Sequence, residues 1–485
     1  MMRVIDARPA LAGLTVALCA AIMPASAQAA QAARPHADDA QDLRALVAGQ
    51  AALLSAQQRE LDELRARLAA VEAAAAPPRA AQTAALAPAA AEAGKGSAAP
   101  PANAPGALVG TRVDWKTGVP NFSADDGSFS FRPRGRIQTE ISSTRGASND
   151  ASNVTATEFR RMRLGFQGTV GRSTSYVMEG DFADNKVQVT AAYLAQKYAR
   201  WDTDIQLALG YMRMERGMDG ASNDLYTPFM ERSAIYEGLM NTAGSLAMGL
   251  QGSITGSNWR INANLVGDGL SDGEQNDNVA LVLRGHWNPL KRDGVITHVG
   301  ASGYTESVSG TRDLALSMRL AGHANDQVLV RSGITPGVSR SQNVNLELGQ
   351  IYHSAWIMGE HGWRDLHGSQ GDVTHRATSV GAGWMFNGAD VPYAPREGQW
   401  SAMNVRNPVG SGGRGEFGVA ARWDKLDYGD SPLGGVSNTT TLGVNWYMTR
   451  QLTAMLNLIH WNLHDGGGLP KESGDTLAAR LQFYF

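Results

Sequence analysis

Cysteine is almost absent: one residue, Cys19, in a chain of 485. It falls inside an N-terminal stretch with the features of an export signal, so the mature chain has neither a disulfide framework nor a thiol site. Lysine is scarce too, confined to Lys95, Lys116, Lys186, Lys197, Lys291, Lys425 and Lys471. With 43 basic against 46 acidic residues the formal charge is -3, which leaves no electrostatic footprint for nucleic acid. Long apolar runs are missing as well. Residues 10–23 are too few for a spanning helix, which needs ~20, and nothing later is longer, so a helical membrane bundle is excluded. Yet 43% of residues are hydrophobic at a mean hydropathy of -0.25. That composition suits a soluble protein, or a closed barrel whose lipid-facing and lumen-facing positions average out.

Arg3 and Arg8 precede the apolar stretch, and Ala25-Ser26-Ala27 before Gln28 has the small-x-small form of a cleavage site, so residues 1–27 read as a signal peptide. Residues 38–75 carry heptads. Val47, Leu54, Leu61 and Leu68 form one series, and Leu43, Gln50, Gln57, Leu64 and Val71 the companion series. This pattern predicts an α-helical coiled coil in the periplasm. Residues 76–107 are rich in Ala and Pro, which reads as an extended linker.

From residue 108 to 485 the period changes to two. In Arg134-Gly135-Arg136-Ile137-Gln138-Thr139-Glu140-Ile141 the charged and amide side chains share one face, and Ile137 and Ile141 the other. Met162, Leu164 and Phe166 alternate with Arg161, Arg163 and Gln167. Similar alternation sets Trp259, Ile261, Ala263 and Leu265 against Arg260, and Leu281 and Leu283 against Arg284 and His286. A lipid-facing Arg near the midplane costs about 2–4 kcal/mol, so the arginine faces are assigned to a water-filled lumen. A soluble sandwich would also alternate, but has no use for aromatic residues at strand ends. Trp287, Trp384, Phe386, Trp400, Trp423 and Trp446 occupy such positions, as an interfacial girdle does. The last strand stays apolar at alternate positions through Leu477, Ala479, Leu481, Phe483 and the terminal Phe485. Such an ending resembles the signal read by the bacterial outer-membrane assembly machinery. Seventeen candidate strands are visible, the weakest at 313–320, and single-chain bacterial barrels use even numbers. The fold expected is therefore all-β: a transmembrane antiparallel β-barrel of about sixteen strands, preceded by the coiled coil.

The run Gly415-Glu416-Phe417-Gly418-Val419-Ala420-Ala421-Arg422-Trp423, then Leu426-Asp427 and Leu442-Gly443-Val444-Asn445-Trp446-Tyr447, resembles the phosphate-selective porin O and P family. So do Arg134-Gly135-Arg136-Ile137-Gln138, Arg160-Arg161-Met162-Arg163-Leu164-Gly165 and Phe229-Met230-Glu231-Arg232-Ser233. The similarity extends over most of residues 128–485. It implies a homotrimer of sixteen-stranded outer-membrane porins, each with a long loop folded into its pore. In that family phosphate selectivity depends on lumen arginines and a lysine cluster, and the seven lysines here do not match such a cluster. From residue 107 onward the chain has 34 basic and 37 acidic residues. Glu140, Glu179, Asp181 and Glu416 are expected to face the lumen beside the arginines, a mixed lining that suits small polar solutes of either sign as well as anions such as phosphate.

Between the fifth and sixth strands lie about thirty residues, a length that is often functional. Folded inward, this loop brings Arg213, Arg216 and Arg232 to the pore; left outside, it is a surface loop. Solute contact is expected from these three together with Arg134, Arg136, Arg161, Arg163, Arg260 and Arg284. No catalytic, metal or cofactor site is expected. His353, His361, His367 and His375 lack ligand spacing, and Gly429-Asp430-Ser431-Pro432-Leu433 reads as a turn rather than a hydrolase signature. The function expected is passive diffusion of small solutes and ions through a lipid-embedded outer-membrane porin. Alternatives are an envelope tether anchored by its barrel and an outer-membrane hydrolase.

Overall fold

The computed structural model describes residues 110–115, 118–240, 246–267, 278–327, 329–431, 433–466 and 470–485. The expected signal, coiled coil and linker lie outside these residues. Sixteen antiparallel strands form the barrel wall. They are β1 (Phe129–Arg145), β2 (Thr155–Val170), β3 (Thr174–Asp181), β4 (Gln188–Arg200), β5 (Thr203–Arg213), β6 (Leu246–Thr255), β7 (Trp259–Val266) and β8 (Val279–Arg292). They continue as β9 (Val295–Arg319), β10 (Leu329–Tyr352), β11 (Ala355–Gly368), β12 (Gly371–Met385), β13 (Glu416–Asp427), β14 (Gly435–Tyr447), β15 (Leu452–Gly466) and β16 (Glu472–Tyr484). Each pairs with its sequence neighbours. The seam closes where β16 pairs with β1, from Asp475 opposite Arg145 to Tyr484 opposite Arg136. Two short strands, Thr111–Asp114 and Asn121–Ala124, pair with each other, and the second continues onto β1.

The period-two pattern sorts side chains as expected. Ile137, Leu164, Phe166, Leu283, Leu442 and Leu481 are exposed on the outer wall, while Gln138, Glu140, Arg284, Thr441, Arg480 and Gln482 are buried within. Trp287, Trp384, Phe386 and Trp423 are exposed as girdle residues should be. Trp400 is not: it is buried inside the barrel, where it packs edge-on against Trp356. The weak candidate strand at 313–320 is likewise neither a separate strand nor a loop. It is mostly the far end of the 25-residue β9, and three register shifts against β10 break its alternation.

Connections at the Phe485 end are mostly tight, such as those between β2 and β3 and between β4 and β5, whereas several at the opposite end are long. Short turns face the periplasm and longer loops the exterior in barrels of this kind. Two long segments depart from the wall and fill the lumen. The loop at residues 214–240, after β5, contains a short helix α1 (Gly217–Ala221) and a wider-wound turn at Ile235–Met240. A second segment, residues 386–415 between β12 and β13, rises from the periplasmic end and carries a small hairpin pairing Tyr393 with Trp400. Apolar side chains line both. Ile235, Tyr236, Leu239 and Met240 pack with Leu316 and Leu320 of the β9–β10 hairpin and with Leu426 and Trp461 of the wall. Val391, Tyr393, Trp400 and Met403 pack with Met218 and Phe229 of the loop and with Trp356 and Met358. Much of the barrel interior is thus packed protein.

Candidate functional site: the lumen and its two in-folded segments

The long loop is fastened to the wall by ion pairs. Asp224 lies 2.6 Å from Arg136 on β1 and 2.8 Å from Arg161 on β2, with Arg213 of β5 at 3.9 Å. Burial alone would raise the Asp224 carboxyl, but Arg136, Arg161 and Arg213 outweigh it and hold it well below the usual carboxylate range. Glu231 pairs with Arg160 at 3.4 Å and with Arg480 at 2.8 Å, and Arg480 also pairs with Glu140. Arg422 donates to the carbonyl oxygens of Glu231 and Arg232 at 3.0 and 3.1 Å and stacks over Phe229. At the start of α1, Gly217 has a φ of +68°, and a Cβ there would lie 2.6 Å from Glu360 Oε1. That glycine lets the backbone approach the wall, where Met218 N–H donates to Glu360 Oε1 at 2.7 Å.

The second segment is held as a strap across the periplasmic side. Arg284 Nη2 donates to Gly398 O at 2.7 Å while pairing with Glu347 at 2.8 Å. Asn288 donates to Pro395 O at 2.6 Å, and Tyr393 is hydrogen-bonded to His298 at 2.7 Å. At the hairpin tip Arg396 reaches across to Asp204 of β5 at 2.7 Å. Gly398, at φ +62°, abuts the His286 ring so closely that a Cβ would collide with it. Trp400 N–H donates to Ser222 Oγ of the long loop at 3.0 Å, which joins the two in-folded segments.

What remains open are cavities around these segments. One of about 420 Å³ lies beneath the β9–β10 hairpin, lined by Arg160, Glu231, Arg319, Arg422, Thr439 and Thr441 among others. One of about 280 Å³ runs along Arg134, Arg163, Tyr193, Arg213, Gln251 and Gln399. A third, about 250 Å³, opens beside Arg132, Arg134, Tyr226, Arg450 and Tyr484.

Residues 131–485 match the family described as phosphate-selective porin O and P. The chain belongs to that family. This porin is 26% identical over 397 residues to an uncharacterized protein of Caulobacter vibrioides, covering 78% of this chain and 76% of that protein. Among solved structures it is similar to the anion-selective porin from Comamonas acidovorans, at 12% identity and a TM-score of 0.45, over 74% of this chain and all of that one. The trimer form of the outer-membrane protein OmpT of Vibrio cholerae gives 10% identity and a TM-score of 0.45, again over 74% of this chain and all of that one. The family and the sixteen-stranded barrel make the protein an outer-membrane porin, a channel-forming protein.

The porin's lumen gathers all nine arginines singled out in the sequence, but not in one role. Arg134 and Arg213 keep 24% and 27% of their side-chain surface open, while Arg161, Arg163 and Arg260 keep less. Arg136, Arg216, Arg232 and Arg284 are buried. Arg216 donates to Met240 O at 2.6 Å and lies over the Tyr304 ring, with no open face toward a solute. Nearly every guanidinium has a carboxylate beside it: Arg134 with Glu179 at 2.9 Å, Arg163 with Asp181 at 2.7 Å, Arg260 with Glu215 at 2.7 Å. Glu416 takes Arg406 at 3.3 Å. The four buried arginines bind the in-folded segments and the wall: Arg136 pairs with Asp224, Arg216 donates to Met240 O, Arg232 donates to Ser222 O and Arg284 pairs with Glu347. Ser431 does meet a histidine, with His375 Nε2 3.0 Å from its Oγ. Both are buried, and the other ring nitrogen of His375 has no hydrogen-bond partner to orient it as a catalytic base requires. The strap at 386–415 has no signal in the sequence because two of its aromatic residues, Phe386 and Trp400, read like girdle positions.

Proposed function

We propose that the porin passes small polar solutes and ions of either sign by passive diffusion, with at most weak preference for anions. The observation that carries this reading is the pairing of lumen arginines with carboxylates. A guanidinium 2.7–2.9 Å from a carboxylate, as at Arg134, Arg163 and Arg260, presents a dipole rather than a net charge to a passing ion. Arg134 and Arg213, the more open of the predicted set, line the route beside the strap and are the residues assigned to solute contact. The heptads at 38–75 and the family's architecture support a homotrimer in the outer membrane with its coiled coil in the periplasm, and the terminal Phe485 supports delivery by the barrel assembly machinery.

Reversal potential across a planar bilayer under a KCl gradient tests the reading. A value near zero, little changed by replacing chloride with phosphate, is the expected result. A potential close to the chloride limit, together with block of the current by phosphate, would establish a dedicated anion channel instead. Charge reversal at both open positions, Arg134→Glu with Arg213→Glu, is expected to move the reversal potential toward cations, whereas Arg216→Gln leaves its sign unaltered.

A further inference from the structure

In a lumen where arginines are neutralised, the ones left unpaired stand out. Among the described residues Arg132 on β1 and Arg450 in the β14–β15 turn form no ion pair, and both line the same cavity of about 250 Å³ at the periplasmic exit. The Nε of Arg132 is buried there without a hydrogen-bond partner. An anion entering the cavity would meet the other N–H groups of the Arg132 guanidinium, which no carboxylate engages. The acids of the lining do not serve: Glu179 is held by Arg134 at 2.9 Å, and the terminal Phe485 oxygen accepts from Gly135 N–H at 3.1 Å.

The same cavity also has an aromatic lining. Tyr226, from the in-folded loop, meets Tyr484 of β16 edge-on with ring centroids 5.7 Å apart, and Leu225 and the Phe485 ring complete the surface. Guanidinium donors and flat apolar area therefore share one lining. A tetrahedral oxyanion such as phosphate would use the donors but leave the rings facing it without a partner. A planar carboxylate carried on a flat apolar body would use both, its oxygens on Arg132 and Arg450 and its face or edge on the tyrosines.

We propose that the exit cavity of Arg132, Arg450, Tyr226 and Tyr484 is a binding subsite for small aromatic carboxylates. It rests on the reading of the barrel as a diffusion pore and adds a preferred class of solute to it. The subsite lies at the short-turn end of the barrel, against Leu225 and Tyr226 of the long loop.

Single-channel KCl current through the reconstituted full chain, titrated with sodium benzoate, sodium acetate and inorganic phosphate, tests this. Benzoate is expected to reduce the current at concentrations where acetate and phosphate do not. Arg132→Gln with Arg450→Gln is expected to raise the half-blocking benzoate concentration roughly tenfold, the effect of losing charge-assisted hydrogen bonds. Arg450→Gln alone, in an exposed turn, supplies the same test without touching the wall, and a smaller shift in the same direction is expected. Tyr226→Leu is expected to erase the advantage of benzoate over acetate. Equal block by acetate and benzoate, or block unchanged by the arginine substitutions, would overturn the subsite. A porin that conducts KCl but ignores benzoate overturns the subsite alone, whereas one that conducts nothing overturns the diffusion reading beneath it.

Discussion

Asp224→Ala is expected to destabilise the porin by about 3–5 kcal/mol, the cost of leaving buried guanidinium groups without their counter-charge. Three arginines converge on this carboxylate, two of them within 2.8 Å, and they belong to three different strands. Its removal therefore releases the long loop from β1, β2 and β5 together. Thermal unfolding of the detergent-solubilised protein should show the loss of stability, and bilayer recordings should show larger, noisier currents as the loop leaves its berth. An unchanged current with Asp224→Ala would mean that the apolar packing of Ile235, Leu239 and Met240 holds the loop without help from the charges. The same anchor should resist acid. Because its pKa is depressed in the folded state, the stabilisation from Asp224 is fully present above the ordinary carboxylate pKa of about 3.9. It is lost only as the pH falls through the lower folded value. Acid opening of the pore near pH 4 or above would contradict this.

Excising the strap is expected to give the largest gain in conductance. Ser401 N–H donates to Pro392 O at 2.8 Å, so the ends of the hairpin are already neighbours, and residues 393–400 can be replaced by two glycines without pulling the wall. The excision removes the Tyr393 and Trp400 side chains from the lumen and frees Arg284, Asn288 and His298 of their strap partners. Conductance is expected to rise by more than any single arginine substitution achieves. The point variant Trp400→Ala, which leaves the backbone in place, is expected to cost about 3–5 kcal/mol through the cavity it creates. If excision left conductance unaltered, the strap would lie off the solute route and Gln399 would not bound it.

Strand alternation was readable because it depends only on neighbours two apart: Arg136, Gln138 and Glu140 inward, Ile137 outward, with the same logic at Leu477 to Phe485. Loop length pointed to the connection between the fifth and sixth strands for a similar local reason. Pairing was not readable. Arg480 meets Glu140 across a sequence separation of 340, and Arg422 meets loop carbonyls some 190 residues away, so no local pattern says which arginine is neutralised and which is free. The strap failed to register because Pro392, Pro395 and Gly398 make turns, and turn residues look alike whether they lie outside a barrel or within it. The register shifts of β9 hid the continuity of a strand whose far end lies beyond the alternating region. Arg132 precedes Arg134 and Arg136 at alternate positions of β1, but its lack of an ion-pair partner is a property of the closed wall.

The long loop also spans the place where the barrel joins itself. Gln482 Nε2 donates to Leu225 O at 2.8 Å and Arg480 to Met230 O at 2.6 Å, both from β16, while Asp224 takes Arg136 from β1. First and last strands are thus stitched from inside by one segment that neither adjoins in sequence. Insertion into the bilayer and tucking of the loop then become a single cooperative event: a chain whose loop has not docked has no inner clasp on its final strand pair. Mutants that weaken the clasp should accumulate during assembly as open, protease-sensitive sheets, long before any defect in transport is measured.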